Sequence, residues 1–334
     1  MRTQTRKLIV ITGCILLVAN CVRTQETGDD NTRFLTITAQ SQTKRNINET
    51  DLFEFVWIGD PQISPDGSRA VFYRVVPNQE RNGYNGAIWL VETSGGEAPV
   101  ELISGKSVGG ARWSPDGQSL LYRRDGQLAL FSLRTRESQT LTSLPGGAGG
   151  AVWSPDGHRV AFVSSTPDQQ AASSRLPVAN DHKSDVHVIT EANYHTSGRG
   201  YLNSTSHQHV WVLDIPNDPN ESVKPRQLTN GNLDDNEPAW APDSSHLYFM
   251  NAPVDEQFTR RFLYSLSLEG QAHKLATIPM GIFHLAISPD GKQAAFHGAV
   301  VTQPPRSYSQ FDLWVMELKE NARRATSPPT TTLT

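Results

Sequence analysis

The sequence predicts an all-β protein made of small antiparallel sheets stacked face to face, and three observations predict it. A five-residue phrase recurs five times: Ile63-Ser64-Pro65-Asp66-Gly67, Trp113-Ser114-Pro115-Asp116-Gly117, Trp153-Ser154-Pro155-Asp156-Gly157, Trp240-Ala241-Pro242-Asp243-Ser244 and Ile287-Ser288-Pro289-Asp290-Gly291. Its flanks recur too. Seven residues after each proline stands an aromatic ring (Phe72, Tyr122, Phe162, Phe249, Phe296), and five after it a small or aliphatic residue (Ala70, Leu120, Val160, Leu247, Ala294). Fixed offsets of this kind mark one structural unit repeated along the chain. Finally, the run after each turn is apolar on both alternations, as in Arg159-Val160-Ala161-Phe162-Val163. A strand with two apolar faces lies in a sheet covered above and below. Stacked small sheets with that property are the blades of a β-propeller.

The recurring phrase is a hairpin turn. Proline presets φ for the second position of a type I turn, aspartate suits the third, and glycine accepts the left-handed conformation that follows. Ser244 departs from the pattern, and a non-glycine residue there carries about 1–2 kcal/mol of steric cost. Before each turn the apolar residues alternate, as at Ala151 and Trp153, which is the period of a strand.

A second signature marks a later strand of each unit: Ile88-Trp89-Leu90-Val91-Glu92, Val210-Trp211-Val212-Leu213-Asp214 and Leu313-Trp314-Val315-Met316-Glu317, with weaker forms at 127–131 and 262–266. An outer strand follows at 225–229 and 139–142, so each unit holds three or four strands. The turn prolines are 50, 40, 87 and 47 residues apart. The long gap holds one blade's worth of chain plus an insertion of similar length. Residues 164–185 of it read as a mobile polar loop. Val186 to Ile189 and Tyr201-Leu202 read as strands joined by a turn at Gly198 and Gly200.

Of the 334 residues, 37% are hydrophobic, and the net charge is −4 with both signs mixed along the chain. No basic stripe argues for nucleic acid. The 25 glycines and 21 prolines sit at turn positions. Arg2, Arg6 and Lys7 precede a 15-residue apolar run, Leu8 to Val22. That is short for a membrane span, which needs about 20 residues, and fits a secretory signal over residues 1–22. Both cysteines, Cys14 and Cys21, lie inside it, so the exported domain would hold no disulfide. Val18-Ala19-Asn20-Cys21 resembles the signal of a bacterial lipoprotein, which makes Cys21 a candidate for lipidation and the amino terminus a candidate membrane anchor. An ordinary cleaved signal is the favoured reading and lipidation the alternative, because short apolar runs with small residues are the common exported case. Residues 23–47 read as a flexible linker. Thr50 can cap a short helix through Phe55. The strand pattern stops after Leu318, and 321–334 reads as a disordered tail.

Thr50-Asp51-Leu52-Phe53 leading to Asp60-Pro61-Gln62-Ile63 and the first turn resembles the start of the propeller in the prolyl oligopeptidase family of serine peptidases, acylaminoacyl-peptidase-like branch. Similarity continues through Asp185 to Thr190, Gly198-Arg199-Gly200-Tyr201, Gln208 to Asp214, Arg226 to Thr229 and Pro238-Ala239-Trp240. The resemblance implies a propeller over 48–320, with about five to six four-stranded blades of an incomplete seven-bladed ring. It also implies partnership with a catalytic α/β-hydrolase domain that this chain lacks, with the propeller limiting access to peptide substrates. The expected location is periplasmic or extracellular. The rival reading is a periplasmic TolB-like propeller that binds partner proteins, and a third is a free-standing propeller closing with five or six blades.

The residues that could carry chemistry each have a plainer role. Gly105-Lys106-Ser107-Val108-Gly109 fits G-x-S-x-G, but a nucleophile elbow needs a strand before it and a helix after it, and here a hairpin strand follows. Gly105-Lys106-Ser107 is no phosphate loop, since Val100 stands where that loop needs glycine. His207 and His209 share a strand face near His187 and His195, yet no third ligand stands at a recognisable metal offset. Asp234, Asp235 and Glu237 lack the ligand spacing of a calcium loop and read as a solvated loop between blades. Trp113, Trp153 and Trp240 read as core between blades. The sequence therefore assigns no catalytic, cofactor or metal residues.

Overall fold

Each Pro-Asp turn joins the first two strands of one sheet. The computed structural model describes residues 45–78, 80, 82–105, 107–167, 195–196, 200–201, 206–216, 221, 223–252, 260–300 and 311–318. Blade 1 is β1 (Trp57–Ile63), β2 (Arg69–Pro77), β3 (Tyr84–Glu92) and β4 (Val100–Gly105). Blade 2 is β5 (Gly109–Trp113), β6 (Ser119–Arg124), β7 (Gln127–Ser132) and β8 (Ser138–Thr140). Blade 3 begins with β9 (Gly149–Trp153) and β10 (Arg159–Pro167). A small hairpin of β11 (His195–Thr196) and β12 (Gly200–Tyr201) intervenes, and β13 (Ser206–Asp214) and β14 (Arg226–Gln227) complete the blade. Blade 4 is β15 (Asp234–Trp240), β16 (His246–Ala252), β17 (Arg261–Ser267) and β18 (Ala272–Ile278). Blade 5 has three strands among the described residues, β19 (Met280–Ile287), β20 (Gln293–Val300) and β21 (Asp312–Glu317). Within every blade, neighbours pair antiparallel in chain order.

The first strands pack on one another from blade to blade: β1 on β5, β5 and β15 on β9, β15 on β19. They therefore line a common axis, with the later strands outward. Four apolar clusters hold the stack, and each straddles one seam. Val71, Ile88 and Ile103 meet Trp113, Leu120 and Tyr122. Leu121 and Leu128 meet Val160, Phe162 and Leu213. Ala161, Val210 and Val212 meet Trp240, Leu247 and Phe249. Tyr248, Met250 and Leu263 meet Ile282, Ala294 and Phe296. The residues five and seven after each proline thus face the preceding blade, and the residue six after it faces the next.

That rule explains the two ends. Leu120, Val160, Leu247 and Ala294 are wholly buried, whereas their blade 1 counterpart Ala70 is half-buried and Ile63 is 69% exposed. Blade 5 shows the converse, with Ala295 half-buried and Leu313 exposed. No described sheet covers either face, so the blades form an open arc, a β-propeller with incomplete closure. The described residues hold five blade sheets and the separate two-stranded sheet β11–β12, and the insertion in the 87-residue gap lies between β10 and β13, inside blade 3. Residues 186–189 of the expected strand lie outside the described residues, as do residues 1–44 with Cys21.

Local chemistry fixes the turns. In four of them the serine Oγ donates to the aspartate carboxylate at 2.5 to 2.6 Å (Ser64–Asp66, Ser114–Asp116, Ser154–Asp156, Ser288–Asp290) and accepts from the backbone N–H five residues on. The aspartate in turn accepts the backbone N–H two residues on. In blade 4, where Ala241 replaces the serine, Ser245 supplies both the hydroxyl and the N–H for Asp243. Ser244 does adopt the left-handed conformation, with φ 60°. Its Oγ accepts from the Asp156 N–H of blade 3 at 3.1 Å, a tie between blades that offsets the strain.

The three turn tryptophans do more than fill space. Each indole N–H donates to the carbonyl just ahead of the equivalent position in the preceding blade: Trp113 to Gln62 at 3.0 Å, Trp153 to Arg112 at 3.2 Å, Trp240 to Val152 at 3.2 Å. One such bond contributes about 0.5–1.5 kcal/mol net, while each large apolar side chain buried in a seam contributes about 1.5–3. Packing therefore holds the blades together, and the indoles set their register.

The opening helix is a 3₁₀ turn, Glu49–Phe53, capped by Asn48 with Asp51 completing a capping box. The cap lies two residues earlier than the expected Thr50, whose own N–H and hydroxyl both donate to Asn48.

Candidate functional site

Every first strand carries the same irregularity five residues before its proline. The ladder slips at Gly59/Gln62, Gly109/Arg112, opposite Ala161/Val163, at Asn236/Ala239 and at Phe283/Ala286. At each slip one residue is left-handed: Asp60 (φ 49°), Gly110 (65°), Gly150 (57°), Glu237 (54°) and His284 (61°). These are β-bulges, which bend a strand and re-aim a side chain. Glycine takes this backbone freely, whereas Asp60, Glu237 and His284 each bear about 1–2 kcal/mol for it. The axial strands therefore carry two negative residues and one histidine at strained, equivalent positions.

Asp60 is answered across the first seam. Arg112 Nη1 of blade 2 donates to both of its carboxylate oxygens, at 3.0 and 2.8 Å, and Gln62 Nε2 donates to Oδ1 at 3.1 Å. The pair is about one-third exposed on each side.

A denser polar group sits across the third seam. His209 Nδ1 lies 3.1 Å from Asp235 Oδ2, both side chains being about 5% exposed. Asn251 Nδ2 donates to the other oxygen of Asp235 at 2.9 Å, and Asn251 Oδ1 is buried without a partner among the described residues. Beside them His207 Nδ1 stands 3.4 Å from Asp234 Oδ1, which also accepts the Gln208 N–H at 2.9 Å. The acidic residues are thus not in a solvated loop. They open β15, the innermost strand of blade 4, and Asp235 is 3% exposed. The bulge turns this polar stretch inward, a placement that strand periodicity does not reveal. The histidines and the carboxylates, far apart in sequence, pair one to one, and no group of three metal-ligating side chains forms among the described residues. His187 lies outside those residues.

Further along the same end of blade 4, Arg261 is buried. Burial pushes its guanidinium below the usual value, while Glu237 and Asp234 act in the opposite direction. Its Cζ lies 5.9 Å from the Phe283 ring of blade 5. Sequence reasoning missed this residue, because a lone arginine at a strand start carries no motif.

Ser107 is exposed, with φ 58°, in the tight connection between β4 and β5. A strand follows it, not a helix, so the context of a nucleophile elbow is missing. Ser245 Oγ does contact His246 Nδ1 at 2.8 Å, but Asp243 bonds to the serine and not to the imidazole. That arrangement cannot orient the ring as a general base.

Fold and site together define a β-propeller whose axial strands carry paired charges at Asp60, Asp234 and Asp235. No family model matches the chain. The chain is homologous to a peptidase: over 212 residues it is 30% identical to the protein named "Uncharacterized peptidase YuxL" from Bacillus subtilis (strain 168), a match covering 62% of this chain and 31% of that one. Among solved structures, acylaminoacyl peptidase from Pyrococcus horikoshii superposes with a TM-score of 0.55 at 14% identity, covering 80% of this chain and 39% of that one. TolB from Acinetobacter baumannii superposes with a TM-score of 0.46 at 17% identity, covering 79% and 50%. The chain spans less than a third of the length of the curated relative and about two-fifths of the first solved structure. The expected likeness to peptidase propellers is met at the level of fold and of this one relative.

Proposed function

We propose that this chain is the propeller of a serine peptidase of the prolyl oligopeptidase type, restricting access to an α/β-hydrolase domain so that only peptides or unstructured segments reach it. The observation that carries the reading is the homology to a peptidase of about three times the matched length, found in a chain folded as blades. In such a pair, bond cleavage is acyl transfer to a serine of the hydrolase domain, followed by hydrolysis. The propeller contributes size selection and the charged lining of its axial strands. Export through residues 1–22 as an ordinary cleaved signal belongs to the same reading, with lipidation at Cys21 the alternative. No helix among the described residues is long and apolar enough to cross a membrane.

The test is chemical labelling. The purified full chain should neither hydrolyse chromogenic peptides nor react with a fluorophosphonate probe. Labelling that disappears in Ser107→Ala would sink the proposal. The nucleotide sequence beyond codon 334, read in all frames, should encode a G-x-S-x-G between a strand and a helix.

A further inference from the structure

The first strand of blade 5 departs from its counterparts twice. Ile287 stands at the position of the turn tryptophan, so this seam lacks the indole-to-carbonyl bond of the other three. The left-handed bulge residue is His284, with φ 61°, where blades 2 and 3 have glycine. On an unbroken ladder Phe283 would lie beside its partner His297 on β20, but the ladder slips between Phe283 and Ala286. The Phe283 ring lies 5.9 Å from Arg261 Cζ of blade 4 and 5.7 Å from the Phe311 ring. It is the His284 ring that meets the His297 ring, with centroids 5.5 Å apart and planes at 86°. His297 is two residues beyond Ala295 on the same side of β20, the side that no described sheet covers, and both histidines are exposed. Neither makes a hydrogen bond or ion pair among the described residues.

The plainer role is an edge-to-face contact of two surface rings, but a contact of that kind does no more than offset the strain of a left-handed histidine. The spacing itself points to chemistry. A zinc–nitrogen bond is about 2.0–2.1 Å long, and two imidazoles on neighbouring corners of a tetrahedron then have their centres about 5 Å apart. Exposed rings turn within nanoseconds, so closing the difference needs no movement of the backbone. Imidazole suits zinc, copper and nickel, whereas magnesium and calcium take oxygen ligands. We propose that His284 and His297 form a two-histidine site for a zinc-like divalent cation on the uncovered face of blade 5. No third metal-ligating side chain joins them among the described residues, so water takes the remaining corners. The site is separate from His207 and His209, whose Nδ1 atoms already face Asp234 and Asp235. Nothing in it depends on the peptidase reading, and either can fail without the other.

The full chain, labelled with nitrogen-15, is titrated with zinc chloride and separately with magnesium chloride while its imidazole resonances are followed. Those of His284 and His297 are assigned with His284→Asn, which accepts the left-handed backbone, and with His297→Gln. Zinc should move both imidazoles along one saturable curve, and magnesium neither. Each substitution should weaken zinc binding at the remaining histidine by about tenfold or more, because the second bond to a shared ion is intramolecular. If a variant does not fold, the shared curve in the parent chain still decides. Separate curves for the two rings, as for unrelated surface histidines, overturn the site. So do an unchanged affinity in a folded variant, no movement with zinc, or equal movement with magnesium.

Discussion

Replacing Ser244 by alanine and, separately, by glycine pulls apart two opposing effects at one position. Its φ of 60° costs about 1–2 kcal/mol for any residue with a Cβ, and its Oγ accepts the Asp156 N–H across the third seam at 3.1 Å. Alanine keeps the strain, loses the bond and leaves that N–H unpaired, so Ser244→Ala should destabilise by about 1–3 kcal/mol. Glycine loses the same bond but relieves the strain, at about 0.5–1 kcal/mol of added chain entropy. Ser244→Gly should therefore be more stable than Ser244→Ala by about 1 kcal/mol, the remainder after that entropy is subtracted from the strain. In a domain of this size 1 kcal/mol moves Tm by about 2–4 °C. Urea unfolding followed by tryptophan fluorescence measures the difference, and amide exchange at Asp156 checks that the bond is the one lost. An alanine variant as stable as the parent, or more stable than the glycine variant, would refute the reasoning.

Other outcomes follow from the same geometry. Trp153→Phe removes the donor to Arg112 and keeps most of the ring, so it should cost about 1 kcal/mol and speed exchange mainly in blades 2 and 3. Gly146→Ala would put a Cβ 1.8 Å from the Ser165 carbonyl oxygen, a backbone clash that should cost about 3 kcal/mol or more and show as lost soluble expression. The Asp66 carboxyl is held down at about 2, first by the Ser64 hydroxyl and then by the N–H and hydroxyl of Ser68. A carboxyl depressed on folding stabilises the native state above its unfolded value and ceases to as pH falls through the folded one. The contribution of Asp66 should thus be complete above about pH 4 and lost between about 4 and 2, and Ser64→Ala should move its carbon-13 titration midpoint upward. Asp60→Asn leaves a half-exposed pair broken, so its effect should be below about 1 kcal/mol and should shrink in high salt.

The blades were readable because their grammar is local. Proline, aspartate and glycine set the turn, and offsets of five and seven residues announce which side chains face the preceding sheet. The axial end was not readable for a different reason. His209 and Asp235 meet through packing of one blade on the next, and no offset within a repeat encodes that. Asp234, Asp235 and Glu237 looked like a loop because the bulge at Glu237 breaks the alternation that identifies a strand. Five left-handed residues at one offset leave no mark in the sequence, since Asp60, Gly110, Gly150, Glu237 and His284 share a backbone conformation and no side-chain type. The capping residue slipped from Thr50 to Asn48 because both are good caps two positions apart.

The bonds of the three turn indoles run the same way, from a blade to the backbone of the one before it. A backbone acceptor makes no demand on which side chain its owner carries, so the joint works for whatever predecessor is present. Duplicating or splicing a unit at the DNA level would therefore preserve the coupling, provided the newcomer brings its own tryptophan. Arrays with this property can lengthen or shorten by whole cassettes during evolution, and the Ile287 joint marks where such a cassette would be exchanged at the least cost.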